Sequence, residues 1–188
     1  MIRKASKIIV MHIQKHVTHT YHYRDMIKYM AKNYKGKDLI GVEIGVLRGL
    51  NAYSIMHHLP MKRLYLVDPY ILYDDNINTY QNRDKDLEAA HKRMVPFKDK
   101  VCFIKQKSED AYKLIPSGID FVYIDGNHLY EYVKKDLELY YPLLKSNGVI
   151  GGHDFRSDTG VAEAVLEFTK KHNLQFGGIK VDWWIVKP

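Results

Sequence analysis

Acidic side chains recur in this basic chain at one kind of place, the ends of short apolar runs. "LIGVEIG" (39–45) carries Glu43 and Gly45, and "RLYLVD" (63–68) closes on Asp68. "KVCFIK" (100–105) is followed by Ser108, Glu109 and Asp110. "IDFVYID" (119–125) closes on Asp125 and runs into Gly126, Asn127 and His128, and "GVIGG" (148–152) is followed by His153 and Asp154. A carboxylate accepts hydrogen bonds from hydroxyls, holds cations or takes a proton, and an imidazole titrates near neutral pH. His128 lies in the turn before a helical segment, just after Asp125, where an imidazole can serve as general base. A helix-capping or surface role is the plainer alternative in a chain with 10 histidines.

The first of these places constrains the ligand most. "GVEIGVLRGLNAYSIM" (41–56) reads as a strand end, a glycine turn and a helix start. Neither G-x-G-x-x-G nor G-x-x-x-x-G-K-[ST] is present. A dinucleotide would place its pyrophosphate over this loop, where Glu43 would repel it. Asp68, at the end of the second run, is placed to accept hydrogen bonds from ribose hydroxyls. The two acids together point to a cationic adenosine compound. S-adenosylmethionine fits: it has an ammonium and a sulfonium and no phosphate. Gly45 and Gly49 allow close approach of such a ligand to the backbone. The alternative for Glu43 is a cap on the following helix, whose N-terminus favours anions.

Elements that position these residues can be read from the apolar pattern. Near-continuous apolar runs, rather than alternation, indicate strands buried on both faces of a parallel sheet. Helical stripes lie between them: Val133, Leu137 and Tyr140 within 129–141, which Pro142 ends, and Val161, Ala164, Val165 and Phe168 within 161–172. Residues 20–34 place Tyr23, Met26, Ile27, Met30 and Tyr34 on one helical face, and Gly36 stops that helix. We divide the chain into an N-terminal helical segment (1–36) and an α/β domain (37–188), Rossmann-like and doubly wound. The tail "LQFGGIKVDWWIVKP" breaks the alternation and reads as two strands joined by a turn. The last strand is then antiparallel, with Trp183 and Trp184 on opposite faces. The polar, tyrosine-rich segment after the second run is expected to be a loop over the pocket, with Tyr70 and Tyr73 contacting an acceptor.

Composition bounds the remainder. The chain has 188 residues, 46% of them hydrophobic, which suits one globular domain. No run approaches the roughly 20 apolar residues a membrane helix needs, and the basic N-terminus lacks a secretory apolar region, so a soluble, cytoplasmic protein is expected. The single cysteine, Cys102, excludes an internal disulfide and a cysteine-based zinc site, and its apolar setting suggests a buried thiol. The net charge of +7 is spread along the chain rather than concentrated in a tract, so a nucleic-acid partner is unlikely. His12, His16 and His19 share a face if their segment is helical, which suits a surface or interface stripe better than a metal site.

"GVEIGVLRGLNAYSI", "LYLVDPY", "FVYIDGNHLYEYVKKDLELYYPLLKSNGVIGGHDF" and "GVAEAV" together resemble a class I S-adenosylmethionine-dependent methyltransferase. The resemblance covers roughly 38–170 and is nearest the small bacterial branch with macrolide and sugar O-methyltransferases and cephalosporin hydroxylase-like proteins. It implies a seven-stranded sheet of order 3-2-1-4-5-7-6 with the last strand antiparallel. It also implies that Glu43 and Gly45 lie by the cofactor's methionine part, that Asp68 holds the ribose, and that Ser108 and Glu109 lie near the adenine. Asn51 stands where that family more often has serine or threonine, a modest change in helix capping. In this topology Asp125 and Asp154 end neighbouring strands, about 4.8 Å apart, so both could hold one Mg²⁺. His153 would join as a nitrogen ligand and tilt the site toward Mn²⁺. Many metal-dependent relatives have Asp-Asp or Asp-Asn where this chain has His153-Asp154. Alternatively, Asp125 contacts the cofactor and Asp154 only makes hydrogen bonds. The expected activity is methylation of a hydroxyl on a small molecule, a sugar or natural product, with Asp125 and His128 catalytic and a homodimer as the commonest assembly. The rivals are an NAD-dependent oxidoreductase and a non-catalytic basic binding module on the same fold.

Overall fold

The computed structural model describes residues 23–71 and 82–188. Tyr73 and the stripe His12, His16 and His19 lie outside the described residues. Seven strands form one sheet in the order β3-β2-β1-β4-β5-β7-β6: β1 (Leu39–Ile44), β2 (Met61–Val67), β3 (Val101–Ile104), β4 (Ile119–Ile124), β5 (Leu144–Gly152), β6 (Phe176–Ile179) and β7 (Asp182–Val186). The first five strands pair in parallel. β7 runs antiparallel to both β5 and β6. The topology is the one expected from the resemblance.

Helices cover both faces, with α1 (Asp25–Asn33), α2 (Leu50–His58), α3 (Arg83–Met94), the single turn α4 (Ser108–Ala111), α5 (Tyr130–Tyr140) and α6 (Gly160–Lys171) in chain order. Strand β4 is buried along its whole length, as its unbroken apolar run requires. The buried side chains fall into two clusters, one on each side of the sheet. Met26, Ile27 and Met30 of α1 pack with Ile55, Leu64 and Phe121, whereas Val133 and Leu137 of α5 pack with Val165, Val122 and Ile150. Trp184 belongs to the first cluster and Trp183 to the second. Both are core residues because β7 is an inner strand, and Trp184 also stacks on Tyr29 with ring centroids 4.9 Å apart.

Two expectations are corrected here. Cys102 is half-buried, because β3 is an edge strand of the sheet. Tyr70 does not face an acceptor: it is 6% exposed within the first cluster, and its hydroxyl is buried.

Helix α1 belongs to the main core and is not an appendage. Its own N-cap, Arg24, makes no side-chain capping bond. The Met26 amide instead donates to Asp182 Oδ2 at 3.0 Å, from a strand 156 residues away in sequence. We expect Met26→Ala and Met30→Ala each to cost about 2–5 kcal/mol in chemical denaturation, the range for truncating a fully buried side chain. A peripheral segment would lose far less.

Candidate active site

The carboxyl ends of the parallel strands open into a cleft of about 750 Å³, within the range of small-molecule sites. Glu43 of β1 lies at its base, fully buried. Its Oε1 accepts a hydrogen bond from Asn51 Nδ2 at 3.0 Å, while Oε2 has no hydrogen-bond partner among the described residues. Burial holds the carboxyl well above the usual carboxylate range, the Asn51 bond and the Arg24 charge oppose that, and the charges of Asp125 and Asp68 add to it. Glu43 therefore does not cap α2. The residue before that helix is Gly49, with φ 71 and no side-chain cap. Asn51 is likewise no cap, since its amide is spent on Glu43.

Gly45 lines the cleft and also meets a packing constraint. A Cβ on it would lie 2.1 Å from the carbonyl oxygen of Asp125, so the glycine admits the neighbouring strand end. At Gly49 a Cβ would only touch Ala90 of α3, at 3.4 Å, and the glycine answers instead to its φ of 71. Asp68 braces the same loop: its Oδ2 accepts from the Val46 and Leu47 amides at 3.0 and 2.9 Å, and its Oδ1 from the Tyr70 amide at 2.7 Å. It still lines the cleft, and a carboxylate offers about four acceptor directions.

Beyond β4 the chain turns at Asn127, whose Oδ1 accepts from the Leu129 amide at 2.9 Å. The His128 carbonyl accepts from the Gly160 amide at 3.0 Å, which ties the turn to the start of α6. His128 Nε2 lies 3.2 Å from Asp154 Oδ2 and 3.6 Å from Asp125 Oδ1. The hydrogen bond to Asp125 raises the imidazole pKa, burial works against it, and the Asp154 charge raises it further. Asp154 itself has φ 58, a left-handed conformation that is uncommon outside glycine. The Thr159 hydroxyl holds it by donating to its carbonyl at 2.8 Å.

Ligand atoms of Asp125, His128 and Asp154 lie within 4.8 Å of one another. His153 stands behind this group. Its Nδ1 is 3.0 Å from Asp154 Oδ2 and its Nε2 is 3.8 Å from Asp182 Oδ1. Of the pair expected near an adenine, Ser108 lines the cleft, whereas Glu109 is drawn into an ion pair with Lys135.

The sequence reading passed over three polar residues in or beside the cleft. Arg24 reaches in from the start of α1, with Nη2 3.6 Å from Asp125 Oδ2. Asp182 supports α1 from behind. Asp136 lies on the buried stripe of α5, beside the Ser108 hydroxyl. Its signal was an acid one place before Leu137 on an apolar face.

A scan of known protein families places a methyltransferase domain over residues 42–155, and the chain belongs to that family. A curated relative, an uncharacterized protein of Acanthamoeba polyphaga mimivirus, is 28% identical over 137 residues, 70% of this chain. The chain spans 58% of that relative's length. Among solved structures, the O-methyltransferase NovP superposes with a TM-score of 0.64 at 19% identity, covering 88% of this chain and 77% of NovP. The calicheamicin methyltransferase gives 0.62 at 14% identity, covering 86% and 77%. The O-methyltransferase from Bacillus cereus, solved in complex with SAH, gives 0.58 at 15% identity, covering 79% and 74%. At these identities the superpositions establish the class I methyltransferase fold. Among the described residues, no helix is long and apolar enough to cross a membrane.

Asp136 yields a pH prediction. Burial pushes its carboxyl up to about 7, against the Ser108 hydrogen bond that lowers it. Below the unfolded carboxylate range both states are protonated, and burial costs nothing extra. As pH rises toward 7 the unfolded chain releases the proton that the folded chain retains, so stability falls. Asp136→Asn keeps an acceptor for Ser108 and avoids that loss. Its stability relative to wild type should therefore rise between pH 4 and 8, by roughly 1–4 kcal/mol at about 1.4 kcal/mol per pH unit. Urea melts across that range would show it.

Proposed function

We propose that the protein is an S-adenosylmethionine-dependent O-methyltransferase acting on a hydroxyl of a small molecule, a sugar or natural product. One observation carries this reading: His128 lies between Asp125 and Asp154 at the mouth of a cleft whose base holds the buried Glu43. The residues fit the cofactor. Glu43 has an unpartnered buried oxygen for an ammonium, and Asp68 and Ser108 line the cleft further along. When bound, S-adenosylmethionine supplies a methyl group on a sulfonium, open to displacement by an oxygen.

The chain's own residues must align the acceptor and take its proton. Because Nε2 faces Asp154 and Asp125, the proton of the attacking hydroxyl is taken on His128 Nδ1, and the two carboxylates stabilise the imidazolium that forms. The O-methyltransferase NovP and the calicheamicin methyltransferase CalS11, a TDP-rhamnose 3′-O-methyltransferase, support a hydroxyl acceptor by analogy of fold. The carboxylates lining the cleft disfavour both a nucleic-acid strand lying there and the pyrophosphate of NAD.

The clustering of Asp125, His128 and Asp154 favours a second reading of the same step. Two carboxylates and an imidazole suit Mg²⁺ or Mn²⁺. His128, more than His153, then supplies the nitrogen. Such an ion would acidify the acceptor hydroxyl.

Two measurements test these readings. Calorimetry should show micromolar binding of S-adenosylhomocysteine to wild type, weakened at least about tenfold in Asp68→Ala, where both the loop brace and an acceptor are lost. Absence of binding in a folded sample would refute the methyltransferase reading. Once an acceptor is in hand, His128→Ala should lower kcat by about 10²–10⁴ with little change in S-adenosylhomocysteine affinity. If the cluster holds a metal, EDTA abolishes wild-type turnover and Mg²⁺ or Mn²⁺ restores it. If His128 is the base, turnover survives EDTA.

A further inference from the structure

The Glu43 end of the cleft gathers three acids, Glu43, Asp68 and Asp125. Glu43 and Asp125 both face it, and Asp68 lies close enough to raise the Glu43 pKa. An ammonium is well served there. An α-amino acid also carries a carboxylate about two bonds away, which these acids would repel. One cationic side chain meets that need. Arg24 lines the same end, 24% exposed, with Nη2 3.6 Å from Asp125 Oδ2, and its charge is felt by Glu43, Tyr123 and Asp182. The other arginines of the cleft, Arg48 and Arg83, pair with Asp86. His128 is committed to Asp125 and Asp154.

We propose that Arg24 binds the carboxylate of the cofactor's amino-acid end, while Glu43 takes the ammonium. The assignment rests on the methyltransferase reading. A guanidinium carries five donors in a fixed fork matched to a carboxylate, and one long contact to Asp125 leaves most of that fork for a ligand. The backbone beneath Arg24 is fixed from outside. The Met26 amide is held by Asp182, and Met26 and Ile27 are buried in the core. Arg24 and Asp182 both lie outside residues 42–155, so the family match assigns neither a role.

The plainer possibility is that Arg24 only neutralises Asp125. Two ligands separate the cases. S-adenosylhomocysteine carries the amino-acid end, and 5′-deoxy-5′-methylthioadenosine has the same nucleoside and sulfur without it. Calorimetric affinities of both are measured for wild type, Arg24→Met and Arg24→Lys. Arg24→Met should weaken S-adenosylhomocysteine about tenfold or more, a typical loss for a hydrogen bond to a charged group. Methylthioadenosine affinity should be unchanged, and Arg24→Lys should fall between. Equal S-adenosylhomocysteine affinity in Arg24→Met overturns the proposal and leaves the methyltransferase reading intact. An equal fall for both ligands also overturns it, and marks Arg24 as a support of the cleft as a whole. If wild type binds neither ligand, the methyltransferase reading fails and the proposal with it.

Discussion

The ends of β1 and β4 meet with no room for a side chain between them. Gly45 sits against the Asp125 carbonyl so tightly that a Cβ would overlap it. Its φ of 86 is also a conformation that other residues rarely adopt. The ladder continues past both strands through this contact: the Asp125 amide donates to Ile44 at 2.8 Å, and the Gly45 amide to Val67 at 2.9 Å. Three strand ends are thereby locked in register. Glu43, Asp68 and Asp125 must then lie around one opening, and the loop after β1 must fold down onto Asp68. A side chain at position 45 would part the strands and separate the acids together.

Crowding acids in this way has an electrostatic cost, and the structure shows how it is offset. Isolated carboxylates are poorly tolerated away from water. Asp68 is satisfied by three backbone amides, and Asp182 by the amide at the start of α1. Asp125 and Asp154 share His128. Glu43 is the exception: one oxygen has Asn51, and the other has no partner among the described residues. A buried oxygen kept without a partner is destabilising by itself, and a cationic ligand would remove that penalty on binding. Asp68 is already satisfied within the fold before any ligand binds, whereas the unsatisfied oxygen of Glu43 is left for one.

Strand ends were legible because a strand buried on both faces must be apolar until it leaves the sheet, so the first polar residue marks the exit. That rule located Asp68 and Asp125 directly, with Glu43 next to the last residue of β1 and Asp154 just after His153 beyond β5, and the two-strand tail announced the antiparallel β7. Roles were harder to read than positions. Asp68 lines the cleft as expected and also braces the loop after β1. Gly45 lines it too and also admits the neighbouring strand end. Asn51 looked like a cap and holds Glu43. Each of these depends on a partner that sequence spacing does not reveal. Arg24 and Asp182 were invisible for the same reason, since their meaning arises only when chain segments more than 150 residues apart meet. Asp136 left a local trace, an acid inside an apolar stripe, which is a sign of a buried polar role.

Those long-range partners form a connected path. Asp154 is held in a left-handed conformation by Thr159 and touches His153, whose other nitrogen lies near Asp182, whose carboxylate in turn caps α1 and so sets Arg24. The Trp183 indole adds a hydrogen bond to the His153 carbonyl at 3.3 Å, so β7 grips this turn twice. A strained residue persists only where its surroundings over-determine it, and here those surroundings come from the last strand and the first described helix. The family's matched region supplies the strand ends and their acids, but not the elements that hold Asp154 and Arg24 in place. The end of the cleft that holds Arg24, Asp125 and His128 is therefore completed by the two flanks of the chain, joined through Asp182.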